Sequence, residues 1–415
     1  MRRDGGLNFM NFIDGGVTAP KGYKASGIYA GIKKKRKDMA LVYSEVPAAG
    51  AGVFTTNVVK AAPVKWDIKL TKESKNIQAI IINSGVANAC TGEEGWNNNY
   101  LMAKAAADYL HIPPESVYTA STGVIGRQLP IDVIVNGIPK LVENLDDTKE
   151  AGTLAAEAIM TTDTYAKECA VSFSIGGKEV ILGGMAKGSG MIHPNMATLI
   201  GVLTTDISIS RELLKEALKE NVKYTFNMIS VDRDTSTNDT VVVLANGMAG
   251  NNMITEKNED YGIFCKALNT VMTRLAKMLA ADGEGATKLL EVTVKGALTW
   301  DDAAKLSKAV ISSNLVKTAV FGSDANWGRI MCAMGYSGVE FDPEKVDLYI
   351  GSENGSLQLV GNGLTTDYSE KTATDILAAK EVKAVIDLKQ GSASATAWGC
   401  DLTYDYVKIN ADYRS

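Results

Sequence analysis

The sequence predicts a mixed α/β protein built from two packed units. Three observations carry this. Apolar strands end in glycine or polar residues, segments of 3.6-residue periodicity lie between them, and the same pattern restarts in the last third of the chain. With 415 residues, the chain exceeds the roughly 250–300 at which a single core stops growing. We place the division between a larger unit, 1–285, and a smaller α/β unit, 286–415. No stretch rich in proline, serine or charge separates them as a tether.

The first 70 residues read as short strands and turns. Segments 27–31 and 39–44 are separated by the run Lys33-Lys34-Lys35-Arg36-Lys37, read as a solvated turn. Gly50 and Gly52 mark the next turn. Residues 77–85, Ile-Gln-Ala-Ile-Ile-Ile-Asn-Ser-Gly, read as a buried strand delivering a loop. Helices are expected over 99–110 and 147–160. The helix over 261–280 has the clearest pattern: Phe264, Leu268, Met272, Leu275 and Leu279 form one apolar stripe, and Gly283 stops it. Beyond 286 we expect a strand over 289–294, a helix over 302–312, and strands over 346–350 and 358–360. A helix over 372–381 follows, then strands over 384–387 and 393–397.

Composition narrows the function classes. The hydrophobic share is 46%, and 43 basic against 48 acidic side chains give a net charge of -5. That balance argues against nonspecific polyanion binding. Thirty-nine glycines and nine prolines form no repeat, so neither a fibrous nor a disordered chain is indicated. Cys90, Cys169, Cys265, Cys332 and Cys400 are widely spaced and odd in number, and no CxxC occurs. A zinc site or disulfide scaffold is therefore not expected, and reduced thiols in a cytoplasm fit. Residues 1–12 lack the apolar core of a secretion signal, and apolar stretches stop well short of the roughly 20 residues a membrane span needs.

One segment, from Gly183 to Asp206, is unusual for a mere fold element. Its first part is glycine-rich and carries Lys187, His193 and Pro194; it then enters the apolar run Leu199-Ile-Gly-Val-Leu. Thr198 stands where a bendable loop meets a buried strand, which suits a residue whose position must be controlled. Composition alone does not make Thr198 catalytic, because a threonine at the start of a strand is usually structural.

The stretch Lys187-Gly-Ser-Gly-Met-Ile-His-Pro-Asn-Met-Ala-Thr resembles the processing segment of the bacterial ornithine acetyltransferases, also called glutamate N-acetyltransferases, the ArgJ family. Similar in the same order are Ile82-Asn-Ser-Gly-Val-Ala-Asn-Ala-Cys-Thr-Gly, Ser121-Thr-Gly-Val-Ile-Gly, Met160-Thr-Thr-Asp-Thr, Asp282-Gly-Glu-Gly-Ala-Thr-Lys, Ser323-Asp-Ala-Asn-Trp-Gly-Arg and the terminal Asn410-Ala-Asp-Tyr-Arg-Ser. Departures are small: Leu199-Ile200 replaces the Met-Leu of many relatives, and Ser415 replaces a terminal threonine.

The resemblance implies a layered α/β (α+β) sandwich of the self-processing N-terminal-nucleophile type with a second, smaller α/β domain. It implies cleavage between Ala197 and Thr198, giving an α chain, 1–197, and a β chain, 198–415, in an α2β2 assembly. Thr198 would be the nucleophile. Its freed α-amine, with an ordinary pKa of about 7.7–8.0, would be its base, so neither His111 nor His193 is required. We expect His193 to hold the loop and His111 to lie at the surface. By the same resemblance Thr122 and Gly123 stabilise the oxyanion, and Thr161, Lys187, Thr198, Glu284, Asn410 and Ser415 contact substrate. Lys187 would pair with an α-carboxylate and Glu284 with the δ-ammonium of ornithine, while the C-terminal tail would return to close a pocket that excludes water. The expected reaction is ping-pong acetyl transfer from N2-acetyl-L-ornithine to L-glutamate in cytoplasmic arginine biosynthesis, without metal or cofactor. Acetyl-CoA is an alternative donor, and no phosphate-cradling motif decides for or against it. A hydrolytic rival is an N-terminal-nucleophile aminopeptidase or amidase, and a non-enzymatic one is a packed α/β binding protein.

Overall fold

The computed structural model describes residues 10–193 and 199–411. Among these, 10–188, 199–225 and 235–275 form one compact unit, and 189–193, 226–234 and 276–411 form another. The chain begins with β1 (Met10–Ile13), β2 (Tyr23–Ile28), β3 (Met39–Phe54), α1 (Ala62–Glu73), β4 (Ile77–Val86), α2 (Gly92–Leu110) and β5 (Val117–Val124). It continues through α3 (Ile131–Glu143), α4 (Lys149–Ala158), β6 (Lys167–Ile175), β7 (Lys178–Lys187), β8 (Ile200–Thr205) and α5 (Arg211–Tyr224). Next come β9 (Ile229–Ser230), β10 (Thr240–Ala245), α6 (Glu259–Ala281), β11 (Leu289–Ala297), α7 (Trp300–Ser312), α8 (Asn314–Phe321) and α9 (Trp327–Gly335). The last elements are β12 (Asp347–Ser352), β13 (Gly355–Gly361), β14 (Leu364–Thr365), α10 (Glu370–Leu377), β15 (Glu381–Asp387), β16 (Ala393–Cys400) and α11 (Tyr404–Ala411).

In the first unit the strand order is β1-β6-β7-β8-β10-β3-β4-β5, with β2 also paired to β3. The long β3 serves two sets of partners. Its first half, up to Ser44, pairs with β2 and β4, and residues 49–54 pair with β10. Here the sequence expectation needs correcting, because Gly50 and Gly52 lie inside β3 rather than in a turn. Crowding accounts for them. A Cβ at Gly50 would lie 2.5 Å from the Ile77 side chain, and one at Gly52 would lie 2.5 Å from the Phe54 ring. The expected run of strands and turns up to residue 70 also contains α1, which buries Val64, Trp66 and Leu70. The core beneath these elements joins Tyr23, Met39, Ile80, Ile81, Ile82 and Tyr118.

The second unit is a mixed sheet of order β14-β13-β12-β15-β11-β16-β9. Its helix α7 packs against β11 and β16 and starts at Thr299, whose hydroxyl accepts from the Asp302 amide at 3.1 Å, as N-caps do. The stripe of α6 is buried as its periodicity requires: Phe264, Leu268, Met272, Leu275 and Leu279 are all fully enclosed. Among the described residues no helix is long and apolar enough to cross a membrane.

Candidate active site

In the first unit, the parallel pairing of β4 and β5 sets Ser84 beside Thr122 and Gly85 beside Gly123. Buried amides hold this end in place. Ser121 Oγ donates to Asn83 Oδ1 at 2.6 Å, and Asn238 Nδ2 donates to the carbonyls of Ser121 and Ala87 at 2.8 and 2.6 Å. Gly123 has φ +130°, and a Cβ there would lie 2.3 Å from the Gly85 carbonyl carbon. Only glycine allows so close an approach in that conformation. Lys187, the last residue of β7 and 8% exposed, donates from Nζ to Thr122 Oγ1 at 3.3 Å.

Asp163 ties this corner together. Its Oδ1 accepts from Lys167 Nζ and the Gly188 amide, both at 2.7 Å, and its Oδ2 accepts from the Thr161 amide at 3.0 Å. Burial works against the carboxylate, but the Lys187 and Lys167 cations outweigh it and hold the group at about 2. Lys167 and Asp163 are both fully enclosed. Removing Lys167 takes one of two cations from a buried carboxylate that keeps its two amides and Lys187, so Lys167→Met should lower unfolding stability by at most about 3–5 kcal/mol in a denaturant titration. Because Asp163 is depressed in the fold, its stabilising contribution is complete above about 3.9 and lost as pH falls toward 2.

The basic run is not simply a solvated turn. Asp38 fixes it by accepting four amides, Ala30 through Oδ1 at 2.7 Å and Gly31, Ile32 and Lys33 through Oδ2 at 3.0, 2.7 and 3.0 Å. Lys33 is half-buried, with Nζ donating to the Met160 carbonyl at 2.9 Å, and exposed Arg36 donates to the Thr161 carbonyl at 3.2 Å. Burial and the Arg36 and Lys187 charges pull the Lys33 ammonium down to about 8, against Asp38 and Asp163. Charge clustering marked this run in the sequence; nothing there said that it folds onto residues 160–161.

Sequence reasoning also missed Asp239, which precedes β10. It is buried, its Oδ2 has no hydrogen-bond partner among the described residues, and burial pushes its carboxyl well above the ordinary value. The next residue, Thr240, donates its amide to the Leu199 carbonyl at 2.9 Å.

In the second unit, Glu284 is 6% exposed and accepts from Asn410 Nδ2 at 2.7 Å. Its amide donates to the Ser189 carbonyl at 2.9 Å, and its carboxylate lies over Gly190, where a Cβ would come within 2.3 Å. Asp232 accepts the amides of Met191 and Ile192 at 2.6 and 2.8 Å. His193 Nδ1 is 3.0 Å from Ser230 Oγ, and burial, helped by Lys308 and Arg233, lowers it to about 4. The ring is thus neutral near pH 7. A histidine depressed from its free value of about 6.5 contributes stability above that pH and loses it as pH falls toward 4. His193→Gln should therefore flatten the fall in thermal midpoint between those values. His111 is exposed and closes α2 with φ 57°.

Of the residues singled out in the sequence, Thr122, Gly123, Thr161 and Lys187 gather in the first unit, and Glu284 meets Asn410 in the second. Ala197, Thr198 and Ser415 lie outside the described residues. Among the described residues no group of three or more His, Cys, Asp or Glu side chains is placed to hold a metal ion.

Residues 24–415 match the profile described as the ArgJ family. The chain belongs to the ArgJ family. Arginine biosynthesis bifunctional protein ArgJ of Caldanaerobacter subterraneus subsp. tengcongensis is 52% identical over 406 residues, covering 98% of this chain and 100% of the relative. The protein of the same description from Symbiobacterium thermophilum is 54% identical over 409 residues, with 98% and 100% covered. A crystal structure of arginine biosynthesis bifunctional protein argJ from Bacillus halodurans is 47% identical, covers 45% of this chain and 99% of its own, and has a TM-score of 0.44. One of ornithine acetyltransferase complexed with ornithine, from Mycobacterium tuberculosis, is 40% identical, with 46% and 99% covered and a TM-score of 0.42. ArgJ membership makes this chain an acetyltransferase of arginine biosynthesis.

Proposed function

We propose that the chain cleaves itself between Ala197 and Thr198 and then moves acetyl from N2-acetyl-L-ornithine to L-glutamate through an acetyl ester on Thr198. In processing, Thr198 Oγ attacks the Ala197 carbonyl, the acyl group shifts from nitrogen to oxygen, and water hydrolyses the ester. The α-amine so released takes the proton of the hydroxyl as that oxygen attacks the acetyl carbonyl. Ornithine leaves with the proton on its nitrogen, and the glutamate amine then attacks the ester and regenerates the hydroxyl. An amide is exchanged for an amide, so no energy source is consumed.

The observation that carries this reading is the corner where Lys187 Nζ meets Thr122 Oγ1 at 3.3 Å, beside Gly123 in a backbone conformation suited to glycine. The Gly123 amide and Thr122 supply donors for a developing oxyanion, and Lys187 supplies a cation for the substrate α-carboxylate. Thr161 adds a further substrate contact. We assign Glu284, steadied by Asn410, to the δ-ammonium of ornithine, and Ser415 to the same substrate. The processed chains, 1–197 and 198–415, are expected to assemble as α2β2 in the cytoplasm.

Mass spectrometry of the purified protein tests the reading: fragments ending at Ala197 and beginning at Thr198 support it, and a stable intact chain that still transfers acetyl would sink it. The relatives' description as bifunctional favours a second activity, which we assign to acetyl-CoA as an alternative donor. A donor panel, acetylornithine against acetyl-CoA, decides between one and two activities.

A further inference from the structure

Two cations that no part of the mechanism above employs stand beside the first-unit corner. Lys33 and Arg36 reach from the turn fixed by Asp38 to the carbonyls of Met160 and Thr161, the latter assigned to substrate. The Lys33 stem also lies over Gly85, where a Cβ would come 3.0 Å from Lys33 Cγ; Gly85 in turn is the residue that Gly123 touches. One contact thus separates Lys33 from the Gly123 backbone.

The charges around this corner do not cancel. Lys33, Arg36, Lys167 and Lys187 stand against Asp38 and Asp163. Both carboxylates are already committed, Asp38 to four amides and Asp163 to two amides and Lys167. Burial pushes the Asp239 carboxyl well above its ordinary value. Each of Lys33 and Arg36 donates one N–H to a backbone carbonyl, which leaves further donors on both groups. Excess positive charge with spare donors, beside residues that bind the reacting end of an amino acid, is a site for an anion.

We propose that Lys33 and Arg36 form a subsite for the side-chain carboxylate of the dicarboxylic amino acid that accepts the acetyl group. The inference rests on the acetyl-transfer reading above. Glutamate carries two carboxylates, and Lys187 answers one of them. Lys33, half-buried, fixes the other from one side, and the planar fork of Arg36 closes on it from solvent.

The test uses the purified, processed enzyme with acetylornithine as donor and compares glutamate with glutamine, its neutral isostere, as acceptor. Lys33→Met keeps the stem over Gly85 and removes the charge; Arg36→Gln alters an exposed side chain and is read even if the first variant is less stable. Each should lower the glutamate-over-glutamine ratio of kcat/KM by about tenfold, as loss of a charge-assisted hydrogen bond does, mostly through KM. Arg36→Lys should restore part of it. An unchanged ratio, or equal losses for both acceptors, overturns the subsite. A loss seen only when acetyl-CoA replaces acetylornithine would give these cations to phosphates and likewise overturn it. Wild-type enzyme that acetylates neither acceptor would instead sink the acetyl-transfer reading itself, and the subsite with it.

Discussion

Thr198→Ala should purify as a single uncut chain and lose acetyl transfer by at least about a thousandfold, since removing a covalent nucleophile strips away the step that the other groups serve. Two losses coincide in this variant. On the proposed mechanism, without Oγ nothing attacks the Ala197 carbonyl, so the α-amine stays locked in a peptide bond, and no atom is left to carry acetyl. Thr198→Ser separates the defects from general damage, because it keeps a hydroxyl and should still be cut and still turn over. Intact mass and an acetyl-transfer assay on the same preparation provide the check. Full activity in an uncut alanine variant would end the nucleophile assignment.

Gly123→Ala should lower kcat by about 10²–10³-fold with a smaller change in KM, the signature of losing a donor that acts on the transition state. The argument is steric. At φ +130° an added methyl would fall 2.3 Å from the Gly85 carbonyl carbon, so β5 must twist or move away from β4. Either response re-aims the Gly123 amide and draws Thr122 from Lys187. The helices and most of the sheet lie outside this contact, so the fold should persist while the donors lose their aim. Steady-state kinetics with circular dichroism as the folding control read the result. A variant with kcat within threefold of wild type would remove Gly123 from the oxyanion role.

Legibility in the sequence followed the physics of each element. The α6 stripe was readable because five apolar residues at helical spacing have one explanation, burial, and the observed helix, Glu259–Ala281, extends only slightly past the expected 261–280. The strand from Ile77 was equally plain, ending at Val86. The helix expected over 99–110 starts seven residues earlier, at Gly92: Asn97, Asn98 and Asn99 are weak helix formers that hid a first turn favoured by Glu93 and Glu94 against the helix dipole. Gly50 and Gly52 misled because local sequence does not tell a turn glycine from one demanded by a neighbour across the sheet. The site divided in the same way. Thr122, Gly123 and Lys187 came from the resemblance to the ArgJ family, whereas Asp163, Lys33 and Arg36 are placed by partners up to 127 residues away, which no periodicity records.

One carboxylate, Asp163, fastens residues 161, 167 and 188 at once. Those three stretches therefore behave as a single rigid link, so thermal drift displaces them jointly and the gauge between the Thr161 amide and the end of β7 survives fluctuations that move both. Precision here is conserved as a relative spacing, independent of how still the surrounding chain is kept.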